Sequence, residues 1–285
     1  MELIPKVTTD NPLTLSMAEE SEIERNLRAN HPGVRRSGRN RDKISTLHLR
    51  RLHQLFWQTE THSDEDFGSK RQKLSDFSHS CKKLTLNQLH WSPNIYTVDG
   101  FLSESELTYL ETESEKSIFK KSFVDTDEQK SVVDTEQRTS TFLSLTKLAN
   151  AKVASIERKA ADLLGVSTLA IEPLQLVRYR QGQFFGIHHD LGSLFDDGSV
   201  ELPPRQPWTR RRLVTIFCYL NDLSDGGCTH FPACGDLRVR PKRGRAVVFC
   251  NILENGMPDP RTIHAGEPVT GITTKLGLNI WCCEE

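Results

Sequence analysis

Tyr179-Arg-Gln-Gly-Gln-Phe-Phe-Gly-Ile-His-His-Asp190 closes on the triplet His188-x-Asp190. In an extended strand, side chains alternate between the two faces. His188 and Asp190 then point to one side and His189 to the other. The pair brings an imidazole and a carboxylate to one face. On its own a His-x-Asp is weak evidence, because strand histidines are common without a metal.

Those two donors are two-thirds of a 2-His-1-carboxylate set, the arrangement that holds non-heme Fe(II) and leaves open positions for substrate and oxygen. The third donor has to come from elsewhere in the chain. The best candidate is His264, in Arg-Thr-Ile-His-Ala-Gly.

Outward from this segment, the chain has 285 residues, room for one large domain or two small ones. Its net charge of −1 points to no nucleic-acid or other polyionic partner. The sequence contains no apolar run of about 18 residues, so no membrane span is expected. The start, Met-Glu-Leu-Ile-Pro-Lys, lacks the pattern of a secretory signal. Seven cysteines, an odd number without a CxxC pair, read as reduced thiols of a cytoplasmic or nuclear protein. Cys228, His230 and Cys234 lie close in sequence but lack a fourth zinc ligand.

Residues 1–85 read as a polar, partly basic region, largely disordered, and residues 86–285 as the folded domain. Within the first region, Gly33 to Lys43 carries five basic residues and one acid, either a nuclear address or a solvated linker. Residues 44–58 have a helical stripe in Leu49, Leu52 and Phe56, which docks on its own domain or on a partner. Residues 59–80 read as linker. Past Leu84, Asn94–Val98 reads as a strand before an Asp-Gly turn. Ser103 and Glu106 form a capping box for a helix running to about Lys116. Arg138–Leu143 is β-rich. Residues 145–164 give a helix with Leu148, Val153, Ile156, Ala160, Leu163 and Leu164 on one face and Gly165 behind it.

From Leu169 the texture changes to short β-branched and aromatic runs between turn residues: Leu174–Tyr179, Leu213–Leu220, Leu237–Val239, Arg245–Phe249 and Leu276–Trp281. The pattern predicts an α+β chain whose core is a double-stranded β-helix, or jelly roll, flanked by the earlier helices. Such a core places strand-borne ligands inside a dry mouth. The loop Leu191–Thr209 is either a lid or a surface excursion. Lys275 lies in an otherwise apolar run and reads as a strand-edge lysine or as a fixed cation for an anionic co-substrate. Tyr179, on the strand entering the ligand segment, reads as core, as surface, or as a hydroxyl sharing that anion.

Six pieces in order resemble the prolyl 4-hydroxylase branch of the Fe(II)/2-oxoglutarate dioxygenases, from about residue 90 to 281. They are Tyr179-x-x-Gly182-x-x-Phe185-x-x-His188-x-Asp190; Arg212-x-x-Thr215-x-x-x-Tyr219-Leu220-Asn221; and Gly226-Gly227-Cys228-Thr229-His230-Phe231-Pro232. Pro241-x-x-Gly244 leading to Phe249, Asp259 to His264-Ala-Gly-x-Pro268-Val269, and Asn279-Ile-Trp281 complete the set. Arg138-Thr-Ser-Thr-Phe also looks like an Arg-x-Ser segment preceding the family's core.

The resemblance implies that His188, Asp190 and His264 bind Fe(II). It implies that Lys275 pairs with the 5-carboxylate of 2-oxoglutarate, that Tyr179 hydrogen-bonds it, and that Arg212 lies near a peptide groove. Trp281 and Thr229 are expected to be structural, and His189 and His230 to be packing or surface residues. O2 is the second co-substrate, ascorbate the reductant, and proline in a peptide or protein the substrate, with succinate and CO2 released. Another side chain or a small molecule is the rival substrate. A scaffold protein that uses the basic segment is the rival of another class. Lys275 falls one residue further past His264 than is common, Leu276 stands where an aromatic often follows, and Phe185 replaces a common tyrosine. These departures bear on substrate more than on reaction.

Overall fold

The computed structural model describes residues 52–57, 71–73, 84–122, 124–125, 131–132, 137–202 and 210–284. Residues 1–51, with the basic stretch Gly33–Lys43, lie outside the described residues, as does Cys81. In chain order the strands begin with β1 (Arg71–Lys73), β2 (Thr85–Trp91), β3 (Asn94–Val98), β4 (Lys120–Lys121), β5 (Val124–Asp125) and β6 (Ser131–Val132). There follow β7 (Thr141–Ser144), β8 (Gln175–Tyr179), β9 (Phe185–His188), β10 (Ser193–Leu194), β11 (Val200–Glu201) and β12 (Arg212–Tyr219). The last are β13 (Thr229–Phe231), β14 (Leu237–Val239), β15 (Ala246–Cys250), β16 (His264–Gly266) and β17 (Lys275–Cys283). Two α-helices, α1 (Glu104–Lys116) and α2 (Ala151–Leu164), stand between β3 and β8.

These elements form a mixed helix-and-sheet fold built on a large antiparallel sheet in the order β1-β2-β3-β15-β12-β17-β8-β7-β4. A smaller antiparallel sheet, β14-β13-β16-β9, accompanies it. The period-2 alternation of the central strands sorts their side chains into two cores. On β12, Val214, Ile216 and Cys218 join the core that contains Leu107 and Leu110 of α1 and Val153, Ile156, Ala160 and Leu164 of α2. Phe217 and Tyr219 turn the other way, into a second core with Tyr179, Phe249, Phe231, Val239 and Val269. Strand β17 alternates in the same register, since Thr215 pairs with Trp281 and Phe217 with Asn279. The face away from the helices is therefore the one that meets the small sheet.

Both helices start on side-chain caps. The Ser103 amide donates to Glu106 Oε2 at 2.8 Å, the expected capping box, and Glu106 also accepts from Lys159 Nζ at 2.6 Å. The second helix begins later than its apolar pattern suggests. Asn150 Oδ1 accepts from the amides of Lys152 and Val153, which fixes the start there. Leu148, placed by sequence on the buried face, sits before that cap with φ 53° and is half exposed. Gly165 ends the helix in the left-handed region at φ 66°, where a side chain is disfavoured.

The edge of the core also differs from the expected boundary at residue 85. Strand β1, in the segment read as linker, pairs antiparallel with β2. Of the expected 44–58 helix the described part is a π-helical turn, His53–Trp57. Leu52, Leu55 and Phe56 are buried in the helix-side core, and Asn94 Nδ2 donates to the Leu55 and Phe56 carbonyls. Burying three large apolar side chains contributes roughly 1.5–3 kcal/mol each, which favours docking on the chain's own sheet. The described part of the 191–209 loop carries the β10–β11 hairpin. Residues 203–209 lie outside the described residues.

Candidate metal and co-substrate site

Strand β9 delivers His188 and the residue pair beyond it, and β16 delivers His264. The two histidines are direct cross-strand partners, and in an antiparallel pair such residues put their side chains side by side. Strand β9 ends at His188, yet the parity continues through the next two residues. Asp190 Oδ1 lies 3.6 Å from His188 Nε2, and Asp190 Oδ2 lies 3.8 Å from His264 Nε2. One ligand atom from each of the three lies within 4.8 Å of the others. His189 points the other way: its Nε2 donates to the Asp259 carbonyl at 3.1 Å and its Nδ1 accepts from the Leu191 amide. His230 pairs with Asp236 outside the cluster.

Each donor is oriented by hydrogen bonds from outside the cluster. His188 Nδ1 donates to the Gly186 carbonyl at 2.9 Å and His264 Nδ1 to the Thr262 carbonyl at 3.1 Å. A carbonyl can only accept, so each Nδ1 carries a proton and each Nε2 faces the cluster. Burial, followed by the neighbouring His188, pushes His264 down to about 3, so its imidazole is neutral at physiological pH. Burial pushes the Asp190 carboxyl up, but His264, His188 and Arg212 overcome it and hold the group well below the usual carboxylate range. Asp190 Oδ2 accepts from Thr215 Oγ1 at 2.6 Å and from Trp281 Nε1 at 3.1 Å. Two imidazoles with Nε2 turned inward and one anchored carboxylate match the 2-His-1-carboxylate donor set of non-heme Fe(II).

The cavity beside this cluster is lined by Tyr179, Phe217, Thr229, Lys275, Asn279 and Trp281 among others. Lys275 is 2% exposed. Its Nζ lies 5.1, 5.2 and 5.8 Å from the ring centroids of Tyr179, Phe217 and Tyr219. Among the described residues it has no salt-bridge partner, although Glu267 and Cys228 are close enough to favour its charge. Burial lowers its pKa to about 8. A buried ammonium in an aromatic cage, facing a cavity, is suited to an anion that enters with its own charge. Burial also raises the Tyr179 hydroxyl, which keeps it a neutral hydrogen-bond donor. The residues present therefore fit both an iron ion and a carboxylate-bearing co-substrate.

The three donors expected from the sequence converge, Lys275 and Tyr179 line the cavity beside them, and two further side chains touch the cluster. Trp281, read as structural, and Thr215, given no role, are the two donors to Asp190. Their inward parity on β12 and β17 was the available signal. Arg212 is held by Glu172 and by the Trp281 ring and does not line the cavity. Thr229 accepts from Tyr219 at 2.7 Å, a packing bond. Phe185 stacks on His188 with centroids 3.6 Å apart, and Arg138 lies over the far side of Phe185.

Residues 174–283 match the family model described as the 2OG-Fe(II) oxygenase superfamily, which sets the class. Probable prolyl 4-hydroxylase 6 of Arabidopsis thaliana is 32% identical over 216 residues, 69% of this chain and 72% of the relative. Prolyl 4-hydroxylase 1 of the same plant is 30% identical over 190 residues, 62% of this chain and 64% of the relative. The solved structure of a viral collagen prolyl hydroxylase from Paramecium Bursaria Chlorella virus-1, in its 2OG complex, is similar with a TM-score of 0.51. It shares 25% identity over 67% of this chain and 96% of that one. The chain belongs to the prolyl 4-hydroxylase-like 2OG-Fe(II) oxygenases, an enzyme family whose chemistry implies Fe(II), 2-oxoglutarate and O2. Among the described residues no helix is long and apolar enough to cross a membrane.

Proposed function

We propose that this enzyme hydroxylates proline in a peptide or protein, with His188, Asp190 and His264 as the iron ligands and Lys275 and Tyr179 as the co-substrate clamp. The convergence of the three donors beside a buried lysine, without a salt-bridge partner among the described residues, is the observation that carries this reading. When bound, iron and 2-oxoglutarate supply the oxidation, in which O2 converts a C–H to C–OH and 2-oxoglutarate to succinate and CO2. The chain's own residues bind, orient and exclude water. The Nδ1 bonds of the two histidines keep their Nε2 atoms turned to the metal. Lys275 and Tyr179 fix the remote carboxylate, and Phe217 and Phe249 keep the wall between the two ends apolar.

We further propose that the two sheets act as the jelly-roll core of this family. Arg212, partly exposed and outside the cavity lining, is proposed to contact a substrate backbone. Ascorbate is the proposed reductant that keeps the iron ferrous. Cytoplasmic or nuclear placement agrees with Cys218, Cys228, Cys234, Cys250 and Cys283 being free thiols. The test is succinate release from 2-oxoglutarate with Fe(II) and ascorbate, with and without proline-containing peptides. Release that rises with peptide, and products heavier by one oxygen on proline, are expected. Peptide-independent release, with unmodified peptides, would transfer the reading to another substrate.

A further inference from the structure

Among the described residues, the Asp190 carboxylate accepts from hydroxyl and indole donors on one oxygen only. Oδ2 takes both donors, Thr215 Oγ1 at 2.6 Å and Trp281 Nε1 at 3.1 Å. Among the described residues Oδ1 takes no hydroxyl, indole or backbone donor, and it is the oxygen nearer His188 Nε2. The two donors differ in how they are held. Thr215 sits mid-strand on β12, and its hydroxyl accepts from Asn251 Nδ2 at 3.0 Å, which directs its own proton to Asp190. Trp281 is held from outside the cavity. The Arg212 guanidinium carbon lies 3.6 Å from the indole centroid, so the cation lies over the ring. Glu172 grips that guanidinium with two bonds of 3.0 Å, Oε1 to Nε and Oε2 to Nη2. A bidentate carboxylate fixes the plane as well as the place of an arginine. Glu172 is tied back to the same strand, its amide donating to the Trp281 carbonyl at 2.9 Å. Cys283 Sγ, two residues on, donates to Glu172 Oε1 at 2.9 Å. Glu172, Arg212, Trp281 and Asp190 thus form one continuous line from the half-exposed rim to a ligand of the metal cluster.

We propose that Trp281 is a positioning residue, turning Asp190 so that Oδ1 serves the metal, and that the Arg212–Glu172 pair is the clamp that holds its indole plane. This rests on the iron reading above and adds that metal affinity depends on two rim side chains that touch no metal. Outer groups that orient a ligand typically carry 10–100-fold of metal affinity.

The test uses the full chain and Co(II) alone, followed by its visible absorption, for wild type, Trp281→Phe, Arg212→Met and the double variant. Far-UV circular dichroism melts check folding. Trp281→Phe keeps the ring and removes the N–H. It is expected to bind Co(II) about tenfold more weakly with an altered absorption envelope. Arg212→Met is expected to weaken binding more in the wild-type background than once Trp281 is Phe, because its hold on the indole matters only while the indole N–H is present, whereas the direct field of its charge on Asp190 is common to both backgrounds. Wild-type affinity and spectrum in Trp281→Phe would overturn the positioning role. Full additivity in the double variant would overturn the clamp. If Trp281→Phe does not fold, Arg212→Met decides alone, and unchanged affinity and spectrum overturn the proposal. Failure of the wild type to bind Co(II) would instead remove the metal reading beneath it.

Discussion

Lys275 and Tyr179 face each other as a direct cross-strand pair of β17 and β8, with the ammonium 5.1 Å from the phenol ring centroid. The pairing puts a cation and a hydroxyl at one end of the cavity without help from any loop. Removing one partner of a buried charge pair costs about 2–5 kcal/mol. Lys275→Ala is therefore expected to raise the apparent KM for 2-oxoglutarate at least tenfold. Steady-state kinetics in varied 2-oxoglutarate check this, and an unchanged value would assign the anion to another cation.

Burial sets a pH limit on the same clamp. Lys275 loses its proton near pH 8 in the ligand-free chain, against 10.5 for an ordinary lysine. Between those values the folded chain binds fewer protons than the unfolded one, so this group makes stability rise with pH across that window. A carboxylate partner needs the ammonium, so co-substrate binding takes up a proton above pH 8. Affinity for 2-oxoglutarate is expected to be flat below about pH 7.5 and to fall as pH rises past 8. Titrations from pH 6.5 to 9.5 test it. Absence of the break in wild type, or its persistence in Lys275→Ala, would dissociate the lysine from the anion.

The metal cluster is built from side chains rather than backbone. His188→Ala or Asp190→Ala is expected to abolish turnover while leaving the circular dichroism spectrum native. Asp190→Ala also leaves the Thr215 hydroxyl and the Trp281 N–H without their acceptor, at about 1–3 kcal/mol for a buried group. It should therefore melt at a lower temperature than His188→Ala. Full activity in either variant would refute the ligand assignment.

Gly277 is required by contact rather than by backbone conformation. A Cβ there would lie 2.4 Å from Phe217 Cζ, in a ring that also walls Lys275. Overpacking of this kind costs about 1–3 kcal/mol. Gly277→Ala is expected to lower the melting temperature and to weaken 2-oxoglutarate binding together. A loss of stability with co-substrate affinity intact would show that Phe217 moves without disturbing the clamp.

Much of this was legible in the chain because period-2 alternation carries both fold and chemistry. His188-x-Asp190 announced a shared face, and the β-rich runs after Leu169 announced the strands that bear the site. Ser103 and Glu106 marked the first helix. What stayed hidden depended on pairing between distant segments. Nothing local in Arg71–Lys73 signals a strand, since its ladder to β2 supplies the reason it is extended. Leu148 fits an apolar stripe, yet Asn150 caps the helix after it. Trp281 read as structural and Thr215 carried no role, because their shared acceptor lies on a third segment. Arg212 stood out within its motif, but its hold on Trp281 required Glu172 to arrive from before β8.

Lys275, Asn279 and Trp281 share one face of β17, and so a single extended strand spans the cavity from the ammonium to the indole that holds Asp190. At about 3.3 Å per residue, the spacing of those three positions is set by covalent geometry. On the proposed reading, that fixed span sets the reach an acid needs to bridge Lys275 and the donor cluster, and a shorter homologue is expected to engage one end alone.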